Sequence, residues 1–151
     1  MAWKPDLTVA AVIADHGRFL CVEERIRSRL VFNQPAGHVE DRETLVQAVI
    51  REVGEETGCM FEPEYLLGIY LWRDAKTQHT TLRFAFVGSV GDRDIGRALD
   101  TGIIATHWLS REELEARAAR LRSPLVLRCI DDYLAGQRMP LDAVHCSVSI
   151  P

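Results

Sequence analysis

The stretch GHVEDRETLVQAVIREVGEETG, residues 37–58, carries the densest information in this chain of 151 residues. Thr44 to Thr57 has helical periodicity, and Gly58 stands where a C-cap glycine belongs. At about 100° per residue, Glu52, Glu55 and Glu56 fall within one arc of roughly 100°, with Val46, Ile50 and Val53 on the opposite side. One face is expected to anchor the helix and the other to present three carboxylates. Carboxylates at i,i+3 and i,i+4 repel by about a few tenths of a kcal/mol, and by more when shielded from water. A hard divalent cation reverses the sign of that term. Mg²⁺ or Mn²⁺ favours carboxylate, carbonyl and water oxygens, and the Pro35-Ala36-Gly37 turn offers a carbonyl as one more ligand. Against phosphate oxygens such a cation offsets charge that grows during phosphoryl transfer and orients or acidifies the attacking water. A glutamate not fully used as a ligand then takes the proton.

Outward from this helix the chain reads as strands and helices in a non-alternating order. Leu7 to Ala14 is rich in β-branched residues, and Asp15-His16-Gly17 is a turn signal before Phe19-Leu20-Cys21-Val22, which predicts a hairpin. A basic loop with Arg25, Arg27 and Arg29 leads to Leu30-Val31-Phe32 and then to the Asn33-Gln34-Pro35-Ala36-Gly37 turn. After the helix, Tyr65 to Trp72 and Thr81 to Val90 read as strands, the second with Leu82, Phe84 and Phe86 alternating against Thr81, Arg83 and Ala85. Residues 75–80 and 91–102 read as polar loops. Ile103 to Leu109 is a further strand, Ser110-Arg111-Glu112-Glu113 is a capping box opening a helix through about Leu121, and Ser123-Pro124 starts another ending near Gly136. This order predicts an α/β (α+β) fold, a mixed β-sheet between helices in an α/β/α sandwich, with residues 1–151 as one domain.

Composition narrows the function. With 47% hydrophobic and 26% charged residues the chain is of globular type, and a formal charge of −4 argues against a nucleic-acid polymer as ligand, because backbone binding wants a basic stripe. The partner is expected to be a small phosphorylated metabolite or nucleotide, and the chain a monomer or homodimer with no membrane association. Cys21, Cys59, Cys129 and Cys146 are scattered without a C-x-x-C pair, so reduced, chiefly core cysteines and a cytoplasmic location are expected. The apolar run Leu7 to Ala14 is too short for a membrane span.

A glutamate-rich helix is ordinarily a solvated face laced with ion pairs. Here Gly37, Glu43, Arg51, Glu52, Glu55, Glu56 and Gly58 recur at fixed spacing, and seven such residues coincide by chance on the order of 10⁻⁷. The pattern resembles the Nudix box, G-x5-E-x7-R-E-U-x-E-E-x-G-U with U aliphatic, over residues 37–59, with Cys59 in the last position as the departure. The resemblance implies a Mg²⁺- or Mn²⁺-dependent hydrolase. Glu52 and Glu56 would be principal metal ligands, Glu55 a third ligand or the general base with Glu52 the alternative base, and the Gly37 carbonyl would complete the set. Glu43 and Arg51 would pair to hold loop and helix together. Many Nudix enzymes add a later acidic residue, for which Asp100 and Asp74 are the nearest candidates here.

Outside the box, Phe32 to His38, Leu82-Arg83-Phe84, Leu121 to Val126, Gly136-Gln137-Arg138 and Pro140-Leu141 resemble the NudJ-type phosphatases of that family. That implies removal of terminal phosphate from nucleoside di- and triphosphates, thiamine pyrophosphate and hydroxymethylpyrimidine diphosphate. The alternatives are a pyrophosphohydrolase of the MutT kind, which releases diphosphate, and a non-catalytic nucleotide-binding Nudix protein. Substrate recognition needs cations and a flat surface. Arg83 on the polar side of a strand, Arg122 before a helix, His38, Asn33 and Gln34 are the polar candidates, and Phe32, Trp72 and Trp108 the stacking ones.

Overall fold

Two short signals set the path of the chain in the computed structural model, which describes residues 2–148. After β1 (Asp6–Val12) the backbone turns tightly through His16 (φ 48°) and Gly17 (φ 74°), between β2 (Ala14–Asp15) and β3 (Arg18–Ile26). Positive φ at both central positions is the primed turn that matches strand twist. Of β1 and β2, however, only β2 pairs with β3. β1 lies in a different sheet, so the long hairpin expected from the sequence is a crossover from one sheet to the next. The basic loop is likewise replaced: β3 runs on to Ile26 and β4 (Arg29–Asn33) returns at once, with Ile26 facing Arg29.

The first sheet is mixed. With β5 (Ala36–His38), β6 (Cys59–Arg73) and β7 (Thr80–Arg93) its order is β5-β1-β7-β6, with β1 and β7 parallel and the other pairs antiparallel. The second sheet holds β2, β3 and β4, with β8 (Ile103–Leu109) pairing antiparallel to β3. β6 starts directly after Gly58, six residues before the expected strand at Tyr65. Its first part contains Pro63, which sits at a register shift on an edge strand, where its missing N–H costs no ladder bond.

Helix α1 (Leu45–Thr57) packs on one face of the mixed sheet. Its start is a capping box in which Thr44 accepts from the Gln47 amide and Gln47 reaches back to the Thr44 N–H; its end is Gly58 at φ 73°, which no Cβ would tolerate cheaply. Leu45, Ala48, Val49 and Val53 are buried with Val9, Ala11, Ile13, Phe61, Leu66 and Phe86. The opposite face of the sheet carries Val12, Leu67, Tyr70, Ala85 and Val87, packed against α2 (Arg111–Glu115) through Leu114 and α3 (Leu125–Leu134) through Leu125, Cys129 and Ile130. The sheet thus lies between helices, as the element order predicts. The helix expected from Ser110 to Leu121 is shorter. The α-helix stops at Glu115 and a 3₁₀ turn follows at Ala118–Arg120. Leu121 then takes an extended conformation, bridging Phe32 in parallel fashion, and the Arg122 N–H donates to the Phe32 carbonyl (2.8 Å).

Candidate active site

The carboxylates do not oppose the anchoring face of α1; two of them extend it. Leu45, Ala48, Val49, Glu52, Val53 and Glu56 form one buried stripe, while Val46 and Ile50 are only partly covered. In the first half of the helix that stripe meets the sheet. In the second half it meets the turn before β5, where the Ala36 N–H donates to Glu56 Oε1 (3.1 Å). Gly37 lies so close to Glu52 that a Cβ there would overlap the carboxylate, which is why the position takes glycine.

Glu56 is 4% exposed, and its Oε2 is buried without a hydrogen-bond partner among the described residues. Burial, with the nearby Glu24 and Glu52 charges, pushes its carboxyl up to about 9, against the pull of the Ala36 amide. A buried acceptor with nothing to accept from costs about 1–3 kcal/mol, more when charged. One oxygen atom each from Glu52, Glu55 and Asp100 lies within 4.8 Å of the others, a spacing a divalent cation can span. Burial first, then the charge of Asp100, pushes the Glu55 carboxyl up, and Arg51 opposes the shift. An inward oxygen without a partner and a knot of hard carboxylate donors both fit Mg²⁺ or Mn²⁺.

Arg51 organises the acidic side chains. Its Nε and Nη2 donate to the two oxygens of Glu43 (2.7 and 3.0 Å), Nη2 also to the His38 carbonyl (2.9 Å), and Nη1 to Glu52 Oε1 (2.8 Å) and Glu55 Oε2 (3.1 Å). Glu43 in turn accepts from the Glu40 N–H (2.9 Å). The guanidinium holds the Glu43 carboxyl below its ordinary range. One side chain therefore joins the loop, β5 and the carboxylate stripe, a rigid fork that lysine could not reproduce.

Asp100 and Asp74 separate clearly. The segment after β7 straps across the end of α1, with the Asp94 N–H on the Gly58 carbonyl (2.9 Å) and the Asp100 N–H on the Glu55 carbonyl (3.0 Å), which delivers Asp100 to the cluster. Asp74 lies in the β6–β7 hairpin and accepts from the Lys76 N–H (2.8 Å), an ordinary turn. Glu24, not singled out by the sequence reading, is a further carboxylate near this cluster. It lies on β3 opposite Val31, is half-buried, and interacts electrostatically with Glu52, Glu56 and Arg122. The available signal was a pair of glutamates, Glu23-Glu24, inside a β-branched and apolar strand.

Several residues named for substrate recognition turn inward. Phe32 is 4% exposed, lies in the core, and is flanked by His107 (centroids 5.5 Å apart) and by the Arg120 guanidinium (4.8 Å). Its ring offers no free face to a ligand. Arg83 is not on a polar side of its strand: with Ala85 and Val87 it points towards α3 and is 4% exposed. Its Nη1 donates to Gln34 Oε1 (3.1 Å) and its Nη2 to Asn33 Oδ1 (3.3 Å), while Gln34 Nε2 donates to the Val126 carbonyl (2.8 Å). Asn33 and Gln34 are thereby committed to an internal network that ties the turn to β7 and α3. Trp72 packs against the same core. Arg122, His38 and Trp108 remain at the surface.

Residues 4–129 match the NUDIX domain profile. The chain is 41% identical over 142 residues to Phosphatase NudJ of Escherichia coli strain K12, a match covering 94% of this chain and 92% of that protein. A NUDIX hydrolase from Nitrosomonas europaea superposes with a TM-score of 0.94 at 49% identity, covering 97% of this chain and 100% of that one. A MutT NUDIX hydrolase from Burkholderia pseudomallei shares the fold at a TM-score of 0.70 and 20% identity, covering 86% of this chain and 98% of that one.

Proposed function

We propose that this chain, which belongs to the Nudix hydrolase family and so hydrolyses phosphoanhydrides, is a Mg²⁺- or Mn²⁺-dependent phosphatase. It removes the terminal phosphate of nucleoside di- and triphosphates and of small diphosphates such as thiamine pyrophosphate or hydroxymethylpyrimidine diphosphate, in the cytoplasm. The observation that carries the reading is the meeting of Glu52, Glu55 and Asp100 within 4.8 Å beside the unpartnered Glu56 oxygen. The similarity to a phosphatase over 94% of the chain supports terminal cleavage.

Glu52, Glu56, Asp100 and the Gly37 carbonyl are the residues that would hold the cation, with Glu55 as a further ligand or as the base. Once bound, the cation offsets phosphate charge and lowers the pKa of water. The rest of the work falls to the chain itself. Glu55 gives one oxygen to Arg51 (3.1 Å) and keeps the other to take a proton from water. Arg51, anchored on Glu43 and the His38 carbonyl, fixes the Glu52 and Glu55 carboxylates in place before substrate arrives. Arg122, exposed and near Glu24, whose carboxyl burial pushes up against the pull of the Arg122 charge, supplies a cation for a phosphate group, and Trp108, 38% exposed, a surface for a ring.

The experiment is product analysis with a nucleoside triphosphate and Mn²⁺. Orthophosphate and the nucleoside diphosphate are the expected products. Diphosphate and the monophosphate would replace this reading by cleavage between the α and β phosphates.

A further inference from the structure

Gly54 is the one glycine inside α1, and glycine is the poorest helix former after proline. At about 100° per residue it stands roughly 200° from both Glu52 and Glu56, on the side of the helix turned away from the buried stripe. It is buried all the same. Its cover is Arg97: a Cβ at position 54 would meet Nη1 at 2.8 Å, Cζ at 3.4 Å and Nη2 at 3.5 Å, so the guanidinium rests against the helix where a side chain is missing.

Arg97 belongs to the strap of residues 94–102 that crosses the end of α1. Two backbone bonds tie the strap to the helix, from the Asp94 N–H to the Gly58 carbonyl (2.9 Å) and from the Asp100 N–H to the Glu55 carbonyl (3.0 Å). Between these ties apolar packing contributes little, since Ile95 is 90% exposed and Ala98 is exposed as well. Among the described residues no carboxylate lies within 4.0 Å of the Arg97 guanidinium and no side-chain hydrogen bond fixes it, although Asp92 and Asp94 line the same cleft. Attraction to an opposite charge therefore does not explain where this side chain lies. The shape of the helix at Gly54 does.

We propose that Gly54 and Arg97 form a latch: the missing side chain at position 54 is a seat, the Arg97 guanidinium fills it, and the strap is thereby pressed onto α1 so that Asp100 stays beside Glu55. Both are positioning residues that touch neither substrate nor reacting atoms. Their effect passes through the Asp100 N–H bond to the Glu55 carbonyl, which sets the Asp100 carboxylate within 4.8 Å of the Glu52 and Glu55 oxygens. A helix that gives up propensity at Gly54 gains in return a fixed path for the strap. The consequence for turnover rests on reading Glu55 and Asp100 as working residues; the latch itself does not.

The test is a double-mutant cycle on the full chain, read first by amide hydrogen exchange without metal or substrate. Arg97→Ala empties the seat, and Gly54→Ala fills it while keeping the Arg97 charge. Each should speed exchange of the Asp100 amide by about tenfold, and the double variant should go no further, because both break one contact. The urea midpoint supplies a sign: in the Arg97→Ala background Gly54→Ala should raise it, since alanine is then only a better helix former. With a nucleoside triphosphate and Mn²⁺, both single variants should lose about five- to tenfold in kcat with KM held within roughly twofold, and neither should lose more once Asp100→Asn is present. Unchanged Asp100 exchange in Gly54→Ala, or effects of the two variants that add, overturns the latch. Faster exchange with full kcat would keep the latch and instead remove Asp100 from the working site, and a wild type that cleaves no phosphoanhydride would overturn the functional reading alone.

Discussion

Two polar clusters share the turn at residues 33–37, and they are built on opposite principles. The second half of the turn serves the acidic cluster, with the Ala36 amide on Glu56 and the Gly37 backbone against Glu52. The first half serves an internal cluster in which Asn33 and Gln34 receive the Arg83 guanidinium and Gln34 holds the Val126 carbonyl. The internal cluster spends the Arg83 Nη1 and Nη2 donors, the Asn33 and Gln34 amide oxygens and the Gln34 Nε2 on protein partners, and leaves Arg83 Nε unpaired among the described residues. The acidic one gathers repelling charges around Arg51 and leaves an inward oxygen unpaired. Groups that satisfy each other contribute to folding, whereas groups that repel until something arrives oppose folding and serve chemistry. Substitutions in the two clusters should therefore move different observables.

The largest effect is expected from Glu52→Gln. The amide fills the same volume against Gly37 and still meets Arg51, so the urea midpoint of the metal-free protein should fall little or rise. The turnover of a nucleoside triphosphate should drop by roughly 10²–10³-fold, the several kcal/mol that charge stabilisation of phosphoryl transfer is worth. Retained turnover would break the contrast at its acidic end. Gln34→Ala is the mirror case. It strands the Val126 carbonyl and an Arg83 N–H in the interior and opens a void, which should cost about 2–4 kcal/mol in urea unfolding, while kcat per folded molecule changes far less. A loss of activity larger than the loss of stability would move Gln34 into the substrate site.

The contrast also shows what the sequence could convey. The glutamate spacing was legible because a helix converts spacing into angle, and the pairing of Glu43 with Arg51 was implied by the resemblance to the Nudix box. Which face those glutamates share was not legible. The stripe from Leu45 to Glu56 changes partner from sheet to turn halfway along, and no helical period records that change. Arg83 was read as outward because alternation marks which residues share a face, not which face is wet. Here Phe84 and Phe86 face α1 while Arg83, Ala85 and Val87 face α3, so both sides are covered. Asp100 comes to the cluster, and Glu24 near it, through backbone bonds of the Asp100–Gly102 turn to α1 and β3, long-range pairings that leave no local trace.

Alkaline titration should sharpen the contrast from the internal side. Burial pushes the thiols of Cys21 (to about 12) and Cys129 up, and burial together with Cys129 and Asp132 raises Tyr70 above its ordinary 10. All three groups are neutral in their protonated forms. Their contribution is complete below about pH 9 and is lost as the unfolded chain ionises first, so stability should fall from pH 9 upward. Each group adds roughly 1.4 kcal/mol per pH unit once past its unfolded value. Tyr70→Phe, which removes the 2.8 Å bond to Asp132, should make the slope above pH 10 shallower by one group. An unchanged slope in chemical denaturation would show that Tyr70 ionises freely in the fold.

The smallest effect belongs to the helix that joins the two regimes. Thr44→Ala removes the hydroxyl that accepts from the Gln47 amide at 3.1 Å and leaves Gln47 reaching back alone, which should cost about 1 kcal/mol. The lost cap lies at the start of α1, two turns before Glu52, and Arg51 fastens the carboxylate end independently through Glu43 and the His38 carbonyl. Fraying should therefore stop before the site. Thermal melting should register the loss, and kcat at a temperature where the variant is folded should stay within about twofold. A proportionate fall in both would mean that the acidic cluster draws its order from the whole helix and not from the Arg51 fork.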